Sequence, residues 1–320
     1  MVEAINMAHA WEMAHDPLVV VLGEDVGANG GVFRATAGLQ QRFGAVRVQD
    51  SPLAEGLIAG AAIGMAAQGL KPVAEIQFMG FIYPALDQIA SHMARLRNRT
   101  RGRLTCPLVL RMPHGGGIHA PEHHSESLET LLCHHPGLRV VCPSSPARAY
   151  GLLLAAIRDP DPVIFLEPVR LYRFAKQEVA DDGQALPIGD CFVLRPGNDL
   201  TLVTWGAMTV DSLKAAEQVA AEGVSCEVID VGTLSPIDFE TILDSVVKTG
   251  RLLIVHEAPR TVGLGAEIAA TVAEEALYDL QGPIRRVTGY DTIMPLYRLE
   301  YDYIPGVARI VDGIRTTLAD

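Results

Sequence analysis

Pro17-Leu18-Val19-Val20-Val21-Leu22-Gly23 is an unbroken apolar run, rich in β-branched residues and closed by glycine. It is too short for an ordinary helix and lacks the alternation of a half-solvated strand, so it reads as a strand buried on both faces. The pattern recurs outward from it, at residues 72–76, 107–112, 138–142 and 162–167, with helical periodicity between the runs. Such alternation implies βαβ units and a mostly parallel sheet. A polar stretch at 175–184, containing Asp181-Asp182-Gly183, then breaks the rhythm as a linker would. A second set of strands follows at 200–205, 225–231, 251–256 and 284–288, with helices expected near 210–222, 238–249, 265–280 and 306–318. The expectation is an α/β protein of two doubly wound domains, residues 1–185 and 186–320. Ligands of such sheets bind beyond the carboxyl ends of the strands, at the loops after Leu22, Ile76 and Met112.

Composition narrows the function. The 320 residues are 49% hydrophobic, enough for real cores, and carry a formal net charge of −12. With Lys and Arg scattered rather than gathered, neither nucleic acid nor an anionic membrane is an expected partner. Cys106, Cys133, Cys142, Cys191 and Cys226 form no CxxC pair and no metal-like spacing, which suits reduced packing thiols in a cytoplasm-like compartment. Glu3 and Glu12 stand in a helical pattern where a targeting segment would be basic, so the chain as given is expected to be cytoplasmic. The most apolar helix, residues 53–67, is interrupted by Glu55 and falls short of the roughly 20 residues a bilayer span needs.

Four segments carry chemistry. Ser51-Pro52-Leu53-Ala54-Glu55-Gly56-Leu57-Ile58 sets one carboxylate among apolar neighbours at a helix start. Apolar enclosure would raise its pKa and make it a proton-sharing catalyst, whereas an ordinary first-turn Glu only complements the helix dipole. Gly56, Gly60 and Gly64 then recur every four residues, and glycine inside a helix costs about 1 kcal/mol relative to alanine. Close approach of another backbone would offset that cost, either from the chain's own sheet or from a second subunit. In Glu75-Ile76-Gln77-Phe78-Met79-Gly80-Phe81-Ile82-Tyr83-Pro84, aromatic residues follow a strand and precede a helix opening at Pro84. Phe78 and Tyr83 read as core, while Phe81, after Gly80, is the better placed to stack on a planar heterocycle.

The richest segment is His114-Gly115-Gly116-Gly117-Ile118-His119-Ala120-Pro121-Glu122-His123-His124-Ser125-Glu126-Ser127. Three glycines let a backbone approach a ligand closely, and adjacent histidines titrate near neutral pH. His119-x-x-Glu122-His123 also matches a zinc-peptidase pattern, which requires both histidines on one helical face; the glycines and Pro121 argue against such a helix. No G-x-x-x-x-G-K-[ST] loop occurs, and Gly263-Leu264-Gly265-Ala266-Glu267-Ile268 fails the dinucleotide fingerprint at its third small position.

Taken in order, GEDVGANGGVFRAT (23–36), SPLAEGLIAGAAIGMA (51–66), PVAEIQF (72–78), HHSES (123–127), PGLRVVCPSSP (136–146), DPVIFLEP (161–168), Leu171-Tyr172-Arg173, KTGRLLIVHEAP (248–259) and RVTGYDT (286–292) closely resemble a known family. It is the family of beta subunits of the decarboxylating component of pyruvate and branched-chain 2-oxo acid dehydrogenases. The resemblance runs from about residue 3 to the C-terminus. It implies a transketolase-like pyrimidine-binding domain followed by a transketolase C-terminal domain, in an alpha2beta2 heterotetramer serving a lipoyl-bearing dihydrolipoyl acyltransferase core. It further implies thiamine diphosphate shared with the alpha subunit, which holds the magnesium; the Gly-Asp-Gly…Asn element for that metal is missing here. On this resemblance Glu55 hydrogen-bonds the cofactor's aminopyrimidine ring, Phe81 packs on it and Gln77 lies beside it. His124 matches an active-site histidine that aids substrate binding and acyl transfer, with His123 its variable neighbour. Ala156, Asp159 and Asp161 resemble a structural monovalent-cation loop, with potassium the expected ion.

Within the family, the GGVFRAT and RVTGYDT wording leans toward branched-chain enzymes and the 115–127 segment toward bacterial pyruvate enzymes. An acetoin dehydrogenase beta subunit remains open, as does a structural subunit whose aromatic and glycine features serve only docking.

Overall fold

The computed structural model describes residues 1–319 and forms two α/β sheets. Among the described residues twelve strands run in chain order: β1 Val19–Gly23, β2 Val48–Asp50, β3 Lys71–Glu75, β4 Val109–His114, β5 Arg139–Val141, β6 Val163–Pro168, β7 Phe192–Arg195, β8 Leu200–Thr204, β9 Cys226–Asp230, β10 Thr233–Ser235, β11 Leu252–Pro259 and β12 Arg285–Gly289. The first sheet has the order β10-β5-β6-β4-β3-β1-β2 and the second β12-β11-β8-β9-β7. Pairing is parallel throughout except at β10, antiparallel to β5, and β7, antiparallel to β9. The apolar runs account for the arrangement: β1, β4, β6, β8 and β9 are buried along their whole length. Strands without a wet face need helices on both sides of the sheet.

The short strands β2, β7 and β10 were not legible as apolar runs. β10 matters most, because it is contributed from beyond the polar stretch yet joins the first sheet through β5. One apolar cluster accordingly contains Leu22, Leu110 and Leu166 from the first sheet and Val203, Ile229 and Leu252 from the second. The two sheets are thus packed as one body.

In the first sheet β2 lies on one side of β1 and β3 on the other, so the direction of winding reverses between β1 and β3. Loops leaving the carboxyl ends of these two strands part there and open a crevice. The helix expected to open at Pro84 is instead a broken run. It comprises 3-10 turns at Met79–Phe81 and Tyr83–Ala85, a π turn at Gln88–His92, another 3-10 turn at Met93–Arg95 and an α turn at Leu96–Arg99. No described helix is long and apolar enough to cross a membrane.

Candidate active site

An ionic cluster is buried among β3, β4 and β6. Arg111 lies within β4 at 1% exposure, and its Nε and Nη2 donate to the two oxygens of Glu167 on β6 at 2.7 and 2.6 Å. Its Nη1 donates to Glu75, the last residue of β3, and the Tyr172 hydroxyl donates to Glu167. One guanidinium therefore ties the carboxyl ends of three neighbouring strands together. From Tyr172 an aromatic ladder rises toward the surface. Its ring lies 4.8 Å from Phe33, Phe33 lies 5.4 Å edge-on to Phe78, and Phe78 lies 5.7 Å edge-on to Phe81.

His124 completes this wall. Its imidazole meets Phe78 edge-on at 4.5 Å and Phe81 at 4.9 Å, and its Nδ1 is 2.8 Å from the carbonyl oxygen of Glu122. Gly80 seats the loop that carries it: a Cβ there would fall 1.9 Å from the His123 carbonyl oxygen. Phe81 and His124, far apart in sequence, are thus brought together. Gln77 is half-buried at the start of the same turn. Phe78 is core as expected, at 8% exposure, but Tyr83 is 48% exposed because the broken helical run turns it outward.

Glu55 is the first residue of the Glu55–Ala67 helix. The expected apolar enclosure is not built by this chain: Glu55 is half-exposed, and its neighbours Leu53 and Leu57 are 71% and 54% exposed. Across the crevice, Glu24 follows β1, and partial burial together with the charges of Asp25 and Glu55 holds its carboxyl above the usual range. The glycine stripe does not face the chain's own sheet. Gly56 packs on the Pro84 carbonyl oxygen, 3.0 Å from where a Cβ would be, and Gly60 on the Gln88 side chain, while Gly64 faces open space. The glycine face of the helix is thus seated on the broken run that carries Phe81, while its apolar face, with Ile58 and Ala62, packs on the first sheet.

The three glycines at 115–117 likewise face protein groups. A Cβ at Gly115 would lie 2.9 Å from Glu257, one at Gly116 3.1 Å from Glu300, and one at Gly117 2.6 Å from Arg170. Glu257 is buried near the end of β11, and burial keeps its carboxyl above the usual range, partly offset by His114 and the Gly116 N–H. His114, at the end of β4, faces Glu129 at 3.1 Å; burial opposes its charge, yet Glu129 raises its pKa and is itself lowered. Trp205 donates its Nε1 to Glu129 at 3.3 Å and stacks on His256, whose burial lowers its pKa to about 4. His119 and His123 both have left-handed φ, +57° and +66°, in a loop without helix, so the helical face a zinc peptidase requires does not form.

At the 156–161 turn the carboxylates are committed to arginines, Asp159 to Arg139 at 3.3 Å and Asp161 to Arg97 at 2.5 Å. A monovalent cation at this turn would draw on main-chain carbonyl oxygens. All five cysteines are free thiols. Burial pushes Cys106 up to about 12 and Cys142 well above its ordinary value, so these two serve packing.

Sequence reasoning missed Glu75, Arg111, Glu167 and Glu257. Each is a charge inside a strand otherwise buried on both faces, and that placement was the available signal, since such a charge requires a partner. Glu300 carried no comparable signal.

Residues 1–175 match the transketolase pyrimidine binding domain and residues 189–310 the transketolase C-terminal domain. The pyruvate dehydrogenase E1 component subunit beta of Acholeplasma laidlawii is 52% identical over 98% of this chain and 96% of its own. That of Bacillus subtilis is 46% identical over 99% and 98%. A solved structure described as a split gene transketolase, inactive beta4 tetramer, aligns with TM-score 0.81 at 24% identity, covering 99% of this chain and 97% of its own. That likeness concerns the fold alone.

Proposed function

The chain belongs to the family of beta subunits of 2-oxo acid dehydrogenase E1 components, and from that premise we propose that it supplies the pyrimidine half of a thiamine diphosphate site shared with an alpha subunit. What carries the reading is the crevice at the β1/β3 reversal, where Glu55 opens a helix seated on the broken run that bears Phe81, whose ring meets that of His124 from a separate loop. An aminopyrimidine ring suits this donor set: a flat aromatic face for stacking and a carboxylate able to share a proton with a ring nitrogen. The cofactor, when bound, supplies the electron sink for loss of carbon dioxide from a 2-oxo acid.

The chain's own residues have separate tasks. Glu55 holds the proton at its carboxylate and exchanges it with the ring nitrogen. Phe81 and Phe78 exclude water from one face, and His124 hydrogen-bonds substrate and assists transfer of the acyl group to a lipoyl arm. The exposed Leu53, Leu57 and Tyr83 around Glu55 are the surface on which an alpha subunit, with magnesium and the diphosphate site, completes an alpha2beta2 assembly. Enclosure by that partner would give the Glu55 carboxylate the apolar surroundings it lacks here. Potassium at the 156–161 carbonyls is a structural adjunct of the same proposal.

Pyruvate is the favoured substrate, because the relatives quoted above carry that name. The test is to co-purify the chain with its alpha partner and compare turnover on pyruvate, 2-oxoisovalerate and acetoin. Glu55→Gln should abolish decarboxylation and leave assembly intact. Near-normal turnover of that variant would refute the role of Glu55 and favour a docking-only subunit.

A further inference from the structure

We propose that Glu300, in the second half of the chain, is a positioning residue that sets the place of His124 by clamping the root of its loop. The proposal rests on the role given to His124 above. Glu300 is 2% exposed and forms no ion pair with lysine or arginine among the described residues. Its oxygens accept main-chain N–H groups of the loop instead: Oε1 from Gly117 at 2.7 Å and Oε2 from His119 at 2.9 Å. The ring Nδ1 of His119 reaches the same Oε2 at 2.8 Å. Burying a carboxylate is costly unless its lone pairs are filled, so the loop and Glu300 stabilise each other's placement.

The local sequence is built for this contact. Gly116 and Gly117 lack the Cβ atoms that would crowd Glu300 and Arg170, and Gly117 has a left-handed φ of +96°. Glu257 takes the Gly116 N–H, and the Tyr301 hydroxyl donates to the Gly117 carbonyl oxygen at 3.3 Å. From His119 the chain passes Pro121 and left-handed His123 to reach His124, a connector with little freedom to absorb a shift. At its far end the His124 ring rests against Phe78 and Phe81. A displaced root therefore displaces the imidazole from the aromatic wall.

The experiment combines hydrogen exchange with a double-variant cycle in the reconstituted alpha–beta assembly. Glu300→Gln keeps the size of the side chain but replaces one acceptor oxygen by a donor that opposes an N–H. Amides of residues 115–119 should exchange about tenfold faster or more, with the strands unchanged. Acyl transfer to a lipoyl domain should fall on the order of 10–100-fold, because small misplacement of a reacting group is enough for such a loss. Decarboxylation read with ferricyanide as electron acceptor should fall less. Glu300→Gln added to His124→Ala should lower turnover no further than His124→Ala alone.

Tyr301→Phe, at a residue 56% exposed, repeats the test without endangering the fold and should raise exchange of the same amides a few-fold. Unchanged exchange in both variants would overturn the clamp. Faster exchange with an additive loss in the His124→Ala background would overturn action through His124. Full turnover of His124→Ala would overturn the role of His124, and the positioning with it, while exchange alone still decides the clamp.

Discussion

Replacing Arg111 by methionine removes the cation of the buried cluster between β3, β4 and β6 while keeping its volume close to constant. Glu75 and Glu167, at 3% and 0% exposure, would then be buried without a countercharge, although Tyr172 still donates to Glu167. Removing one partner of a buried ion pair costs about 3–5 kcal/mol. Taking the two sheets, packed as one body, as the unfolding unit of 320 residues, at about 2.1 cal/mol/K of unfolding entropy per residue, the melting temperature should fall by ~4–7 °C in scanning calorimetry. Adding Glu75→Gln and Glu167→Gln should restore at least about half of the lost stability, because neutral amides need no counterion. A fall of less than ~3 °C, or no recovery on neutralising the carboxylates, would refute the assignment of this network as the tie between β3, β4 and β6.

Two further outcomes follow from the site. His256 is buried with neither ring nitrogen partnered and a folded-state pKa lowered to about 4 from 6.5. Its contribution is fully present above pH 6.5 and lost as pH falls toward 4, so His256→Phe, which keeps the stack on Trp205, should remove on the order of 3 kcal/mol of acid sensitivity in urea titrations across that window. An acid limb as steep as in the unchanged chain would count against this. Gly80→Ala introduces no left-handed strain, only a methyl 1.9 Å from the His123 carbonyl oxygen, and should lower turnover of the reconstituted enzyme by about tenfold or more. Unaltered turnover would show that the loop does not need this seat.

Much of the α/β order was legible because both faces of the main strands are buried. Runs such as Val19–Gly23 and Val163–Pro168 then announce themselves without any knowledge of their neighbours. Edge strands are different. β7 and β10 are short and carry mixed residues, and they exist because a neighbouring strand offers an unpaired edge, which no local window records. The helix expected to open at Pro84 forms instead as 3-10, π and α turns, with Gly56 and Gly60 of the Glu55–Ala67 helix closing on Pro84 and Gln88.

Residue chemistry alone singled out Glu55, Phe81 and His124 as groups worth attention, and the resemblance assigned them roles. Local order sufficed there because each sits in a motif whose neighbours are adjacent in the chain. What only the tertiary structure decided is which of them meet, and what holds them. Phe81 and His124 are in ring contact, Glu55 is uncovered, and the glycines at 115–117 admit Glu257 and Glu300 from more than 130 residues away. A glycine reports that something comes close, and a lone buried glutamate that something must fill its lone pairs. Neither names the partner, because hydrogen bonding and steric exclusion act over a few ångströms of space and are blind to separation along the chain.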